Sequence, residues 1–93
     1  MSLLRPCATS AGFLATRDPP WRMDMAALKG RLQEAGFGIV VDARVVLIVR
    51  SPGTAVESSV YDSGKVLLKT TDRPAAEAAF AGLEPLLAAS RKA

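Results

Sequence analysis

The run Val45-Val46-Leu47-Ile48-Val49, the turn Ser51-Pro52-Gly53-Thr54, the segment Ala55 to Tyr61, the turn Asp62-Ser63-Gly64 and the segment Val66 to Thr71 together decide the fold. Five apolar residues in a row, four of them β-branched, read as a central strand with a neighbour on each side. Pro at the second and Gly at the third position of residues 51–54 suit a type II turn. The next segment alternates. Val56, Ser58 and Val60 face one way, and Glu57, Ser59 and Tyr61 face the other. Gly64 supplies the positive φ that closes a second hairpin. In the last segment Val66, Leu68 and Thr70 share one face, and Leu67, Lys69 and Thr71 share the opposite one.

Outward from this centre, Phe37 to Val41 reads as one more strand, joined to the central one by a tight Asp42-Ala43 connection. Before it, Asp24 is placed to cap a helix whose apolar stripe is Met25, Leu28, Leu32 and Ala35, with Gly36 at its end. After the strands, Asp72 caps a second helix and Pro74 sits in its first turn, where a missing N–H is harmless. Ala76, Ala79, Phe80, Leu83, Leu86 and Leu87 form that helix's apolar stripe. Pro85 predicts a kink rather than a stop, because Leu86 and Leu87 keep the period. The expected fold is therefore α+β: helix, four-stranded antiparallel meander, helix, with both helices on one face. Its core should contain Leu28, Leu32, Val46, Ile48, Phe80, Leu83 and Leu87. The other sheet face is left bare, and Glu57, Ser59, Tyr61, Lys65, Leu67 and Lys69 form a candidate interaction face.

A chain of 93 residues holds one domain and a small core. The natural division is an N-terminal arm, residues 1–22, and a single α+β domain, residues 23–93. Asp18-Pro19-Pro20 reads as a stiff linker. Phe13, Leu14 and Trp21 are the residues that could anchor the arm, and Met23 and Met25 just beyond it are alternative starts. The net charge of +3 is uneven. Residues 1–23 carry Arg5, Arg17 and Arg22 against Asp18, while residues 24–93 carry nine basic and eight acidic residues. A nearly neutral domain gives nucleic-acid binding little to work with.

The absence of histidine and the single Cys7 exclude the usual zinc sites, Cys–His and Ser–His–Asp catalysis, and an intramolecular disulfide. Cys7 reads as a plain free thiol. Lys65 follows Ser63-Gly64 without the spacing of a phosphate loop. Asp62 and Asp72 fit turn and cap roles. No catalytic, cofactor-binding or metal-binding residues are expected, so the expected role is non-enzymatic. No apolar run approaches the roughly 18 residues of a membrane helix. Residues 1–22 lack a continuous apolar stretch of the kind found in secretory signals. A cytoplasmic protein with no membrane partner is the expectation.

The stretch Tyr61-Asp62-Ser63-Gly64-Lys65-Val66-Leu67-Leu68-Lys69-Thr70-Thr71-Asp72-Arg73-Pro74-Ala75 resembles a segment near the C-terminus of bacterial ThiF/MoeB-type adenylyltransferases. That segment has an aromatic residue, an Asp-Gly-Arg turn, an apolar triplet and Lys-Gly-Thr-Asp-Asp-Pro-Ala. The resemblance covers about residues 24–80, with Asp24 to Leu32, Gly36 and Val45 to Arg50 falling in the same region. Ser63, Thr70 and Arg73 depart from it, and the family's nucleotide-binding domain is missing. It implies a detached accessory domain beside sulfur-carrier activation for thiamine or molybdopterin synthesis. The implied partner is an adenylyltransferase or a sulfur-carrier protein. The bare sheet face and the unpaired edges of the outer strands separately predict a homodimer, through either of them or through Phe13, Leu14 and Trp21 of the arm packing on a neighbour. Pro52-x-Thr54 and Tyr61-x-Ser63-Gly64-Lys65-Val66 followed by a helix also look like a half-repeat of the TATA-box-binding protein. This implies the alternative, a dimeric nucleic-acid-binding half-saddle. From Arg44 to Thr71, however, Tyr61 is the only aromatic residue, so wedging phenylalanines are not evident there.

Overall fold

A computed structural model describes residues 4–6, 12–17, 19–54 and 56–92. Two short strands, β1 (Leu4–Pro6) and β2 (Phe13–Ala15), precede helix α1 (Met25–Glu34). Strands β3 (Gly38–Asp42), β4 (Val46–Arg50), β5 (Glu57–Tyr61) and β6 (Val66–Lys69) follow, and helix α2 (Arg73–Ala89) ends the order. The α+β class and the helix–meander–helix order are as expected. Strand β4 lies between β3 and β5, all pairs are antiparallel, and α1 and α2 pack on each other over one face. Cys7 lies outside the described residues.

The sheet has six strands, not four, in the order β1-β2-β6-β5-β4-β3. The additional two come from the arm. Strand β6 would otherwise present a row of unpaired N–H and C=O groups, and β2 pairs with it through Phe13–Leu68, Leu14–Leu67 and Ala15–Val66. Phe13 and Ala15 alternate inward and are buried in the core, while Leu14 faces away. Glycine permits this approach: a Cβ on Gly12 would lie 2.7 Å from the Leu68 carbonyl oxygen. The boundary after residue 22 is thus a feature of the sequence and not of the sheet.

Arg17 and residues 19–24 fasten the arm to the rest. Arg17 donates from Nη1 to Glu84 Oε2 on α2 at 2.7 Å, from Nη2 to Glu84 Oε1, and from Nε to the Gly64 carbonyl at 3.1 Å. Its guanidinium lies 4.0 Å from the centre of the Trp21 ring, over which Arg91 also sits at 4.3 Å. The Trp21 and Met23 N–H groups donate to the Ser63 and Asp62 carbonyls of the β5–β6 turn. On the other side, Asp24 N–H donates to the Ser90 carbonyl and Lys92 N–H to the Arg22 carbonyl. The turn works only with Gly64, which has φ +84° and lies against Arg17 and Trp21.

The core differs from expectation on β4. Leu47 and Val49, not Val46 and Ile48, face the helices and are buried. An unbroken apolar run carries no phase, so the phase comes from its neighbour: Leu47 pairs with Val60 and Val49 with Ser58, both on the inner face of β5. Leu28, Leu32, Leu83 and Leu87 are fully buried as expected, whereas Phe80 is only half-buried, packed at the core's rim. Asp24 caps α1 by accepting from Ala27 N–H at 3.1 Å. Asp72 occupies the same position on α2 but makes no side-chain cap bond. Helix α2 runs through Pro85; the Ala81 carbonyl that loses its donor lies on the exposed side, where water can serve it.

Two substitutions test this packing. Leu83→Ala should lower stability by roughly 2–5 kcal/mol. Gly30→Ala should raise it by up to about 1 kcal/mol, because nothing lies within 4 Å of a Cβ at that exposed helical position. Chemical denaturation followed by circular dichroism measures both.

Candidate functional site

Sheet register builds a continuous feature on the face opposite the helices. Val41, Ile48, Ser59, Leu67 and Leu14 stand side by side across β3, β4, β5, β6 and β2. Val41 is exposed, and Ile48, Leu67 and Leu14 are half-buried. Ser59, at the centre, is only 3% exposed although it points away from the core. The larger side chains on each side of it close over its short one.

The flanking rows are polar or mixed. On one side Arg50, Glu57 and Lys69 are cross-strand neighbours, and Arg50 Nη2 donates to Glu57 Oε2 at 2.8 Å. On the other side Val46 pairs with Tyr61, and the Lys65 ammonium lies 4.4 Å from the centre of the Tyr61 ring. All six candidate residues, Glu57, Ser59, Tyr61, Lys65, Leu67 and Lys69, therefore fall on this one face. Among the described residues neither Lys65 nor Lys69 has an ion pair.

The sequence reading leaves out Leu14, Val41, Val46 and Ile48, and names Arg50 on this face only as a residue whose presence beside Lys65 and Lys69 would favour nucleic acid. Val46 and Ile48 were assigned to the core, for want of a phase. Nothing in Phe13-Leu14-Ala15, three apolar residues in a row, marks Leu14 as outward; the pairing of β2 with β6 does.

One border of the face is also a sheet edge. Strand β3 has no partner on its outer side among the described residues. Val40 and Val41 there are 47% and 42% exposed. The register shifts between Ile39 and Val41, so Val40 is the extra residue of a bulge, a device that interrupts edge pairing. Elsewhere, Trp21, Arg22, Met23, Asp62, Ser63 and Lys92 line a polar cleft of about 280 Å³. Among the described residues no three His, Cys, Asp or Glu side chains are grouped to hold a metal ion, and no helix is long and apolar enough to cross a membrane.

Neither a protein-family model, nor a curated protein, nor a solved structure matches the chain. The reading of the face rests on its own residues.

Neighbouring positions on β4 test the assignment of faces. Val49→Lys places a charge in the core, at a cost of several kcal/mol, and should leave the chain unfolded by circular dichroism. Ile48→Lys can extend its ammonium into solvent and should keep a cooperative melting transition.

Proposed function

We propose that the chain is a non-catalytic accessory domain that binds another protein through the open face of its sheet. The row Val41, Ile48, Ser59, Leu67 and Leu14 carries this reading. An apolar centre drawn from several strands and bordered by charged and aromatic residues is the anatomy of a protein interface. Glu57 is engaged by Arg50, so the uncommitted charges on the face are Lys65 and Lys69. Complementarity asks for a partner whose apolar patch is edged with carboxylates. The resemblance of residues 61–75 to ThiF/MoeB-type adenylyltransferases supports an adenylyltransferase or its sulfur-carrier protein as that partner.

A second reading, a homodimer, is favoured at a different place. The β3 edge exposes Val40 and Val41, and two such edges related by a two-fold axis would cover one another. The open face suits a second copy less, because its surplus charge is of one sign. The arm suits it less too, since Phe13 and Trp21 are spent on the chain's own sheet and helix. Nucleic acid has the weakest support: the ring of Tyr61 lies under Lys65, and Arg50 is held by Glu57.

Affinity capture from native cells, read by mass spectrometry, tests the proposal. The unmodified chain should retain an adenylyltransferase or a sulfur-carrier protein, and Leu67→Glu should lose it while keeping the same circular dichroism spectrum. Capture indifferent to Leu67→Glu, or capture of neither protein, would overturn the reading. Light scattering decides the second: a dimer mass that Val41→Lys reduces to a monomer supports it, and a monomer at micromolar concentration ends it.

A further inference from the structure

The main chain sets two cations from distant parts of the sequence against each other. Met23 and Arg91 form an isolated antiparallel bridge. Asp24 N–H donates to the Ser90 carbonyl at 2.8 Å and Lys92 N–H to the Arg22 carbonyl at 2.7 Å, which closes it. With residue 23 opposite residue 91, antiparallel register puts Arg22 opposite Lys92, at a Cβ separation of about 4.5–5.5 Å. Like charges so placed repel. Backbone hydrogen bonds fix this register, so the repulsion is built into the tie between the arm and the end of α2. Both residues line the cleft of about 280 Å³ that they share with Trp21, Met23, Asp62 and Ser63.

Elsewhere the chain matches its facing charges. Arg50 stands opposite Glu57 across β4 and β5, Arg73 pairs with Glu77 one turn along α2, and Lys29 reaches Asp42. Among the described residues neither Arg22 nor Lys92 makes an ion pair, and Asp62, the one carboxylate of the lining, makes none either. Arg91 adds positive charge close by, 4.3 Å from the centre of the Trp21 ring. Ser63, half-buried, brings a hydroxyl to the lining.

We propose that this cleft binds a phosphate group, held between the Arg22 guanidinium and the Lys92 ammonium with the Ser63 hydroxyl as a neutral donor. A dianion answers both cations at once, whereas a single carboxylate carries one charge. Its tetrahedral oxygens also accept charge-assisted hydrogen bonds from two facing segments together. Arg22, Asp62 and Lys92 are exposed, so the cleft admits phosphate either free or as the end group of a small molecule. Asp62 repels the anion and limits its affinity. None of these residues belongs to the open sheet face, and the site does not depend on the role given to that face.

Titration of the ¹⁵N-labelled full chain with inorganic phosphate tests the proposal by NMR, at constant ionic strength and about pH 8, where phosphate is a dianion. Phosphate should cause saturable shifts at Arg22, Ser63 and Lys92 that sodium chloride does not reproduce. Arg22→Gln and Lys92→Gln should each weaken binding roughly three- to fivefold, the effect of one exposed charge pair. Asp62→Asn should tighten it by about twofold or more. Arg73→Gln, at the far end of α2, should leave it unchanged. Glycerol 3-phosphate titrated in parallel separates the sources: tighter binding than phosphate supports an ester as the ligand, and equal or weaker binding supports the free anion. Shifts matched by chloride, or an affinity indifferent to both Arg22→Gln and Lys92→Gln, would overturn the assignment.

Discussion

A single buried guanidinium joins three parts of the chain that lie far apart in sequence. Arg17 has a side chain only 4% exposed, and it reaches the Gly64 carbonyl in the β5–β6 turn and the Glu84 carboxylate on α2. A buried charge is costly unless its hydrogen bonds are filled; here the planar fork meets both carboxylate oxygens and Nε finds a carbonyl. Lysine could not reproduce that geometry. The rings of Trp21 and Phe80, at 4.0 and 5.6 Å, cover the cation. Glu84 remains 36% exposed, so the pair stands at the edge of the interior.

What this fastening determines is the width of the sheet. With Arg17 and Trp21 to Asp24 tied down between the β5–β6 turn and α2, the preceding strand is delivered alongside β6. Strand β2 covers that edge, buries Phe13 and Ala15, and adds Leu14 to the apolar row on the opposite face. The open face is thus partly a product of the arm. The β3 edge, at the far border, has no such cover among the described residues, and its bulge at Val40 is the guard it does have.

Much of this architecture was legible because turn and cap residues carry local chemistry. Gly36, Gly53 and Gly64 all take the positive φ that their positions suggested, and they separate segments whose spacing leaves little choice but antiparallel neighbours. The six residues assigned to the bare face are all on it, since β5 and β6 alternate clearly. The strand with the strongest β signal was misread in phase for the opposite reason: Val45 to Val49 is apolar throughout, and only pairing with β5 decides which side is in. The arm was underestimated because three-residue strands have almost no pattern of their own. Their stability comes from Arg17 and from a close approach at Gly12, both tertiary facts.

The claim that the arm is a structural strand held by Arg17 can be measured directly by amide hydrogen exchange. Tyr61 N–H donates to the Lys65 carbonyl, which sets the phase of the β5–β6 ladder. By the alternation of antiparallel pairing, the Leu67 amide then points to β5, and those of Val66 and Leu68 point to β2. In the unmodified chain all three should be protected. In Arg17→Met, protection of Val66 and Leu68 should fall by about tenfold or more, the loss expected for charge-assisted hydrogen bonds, while Leu67 stays protected. Unchanged protection at Val66 and Leu68, or equal loss at all three amides, would contradict the account.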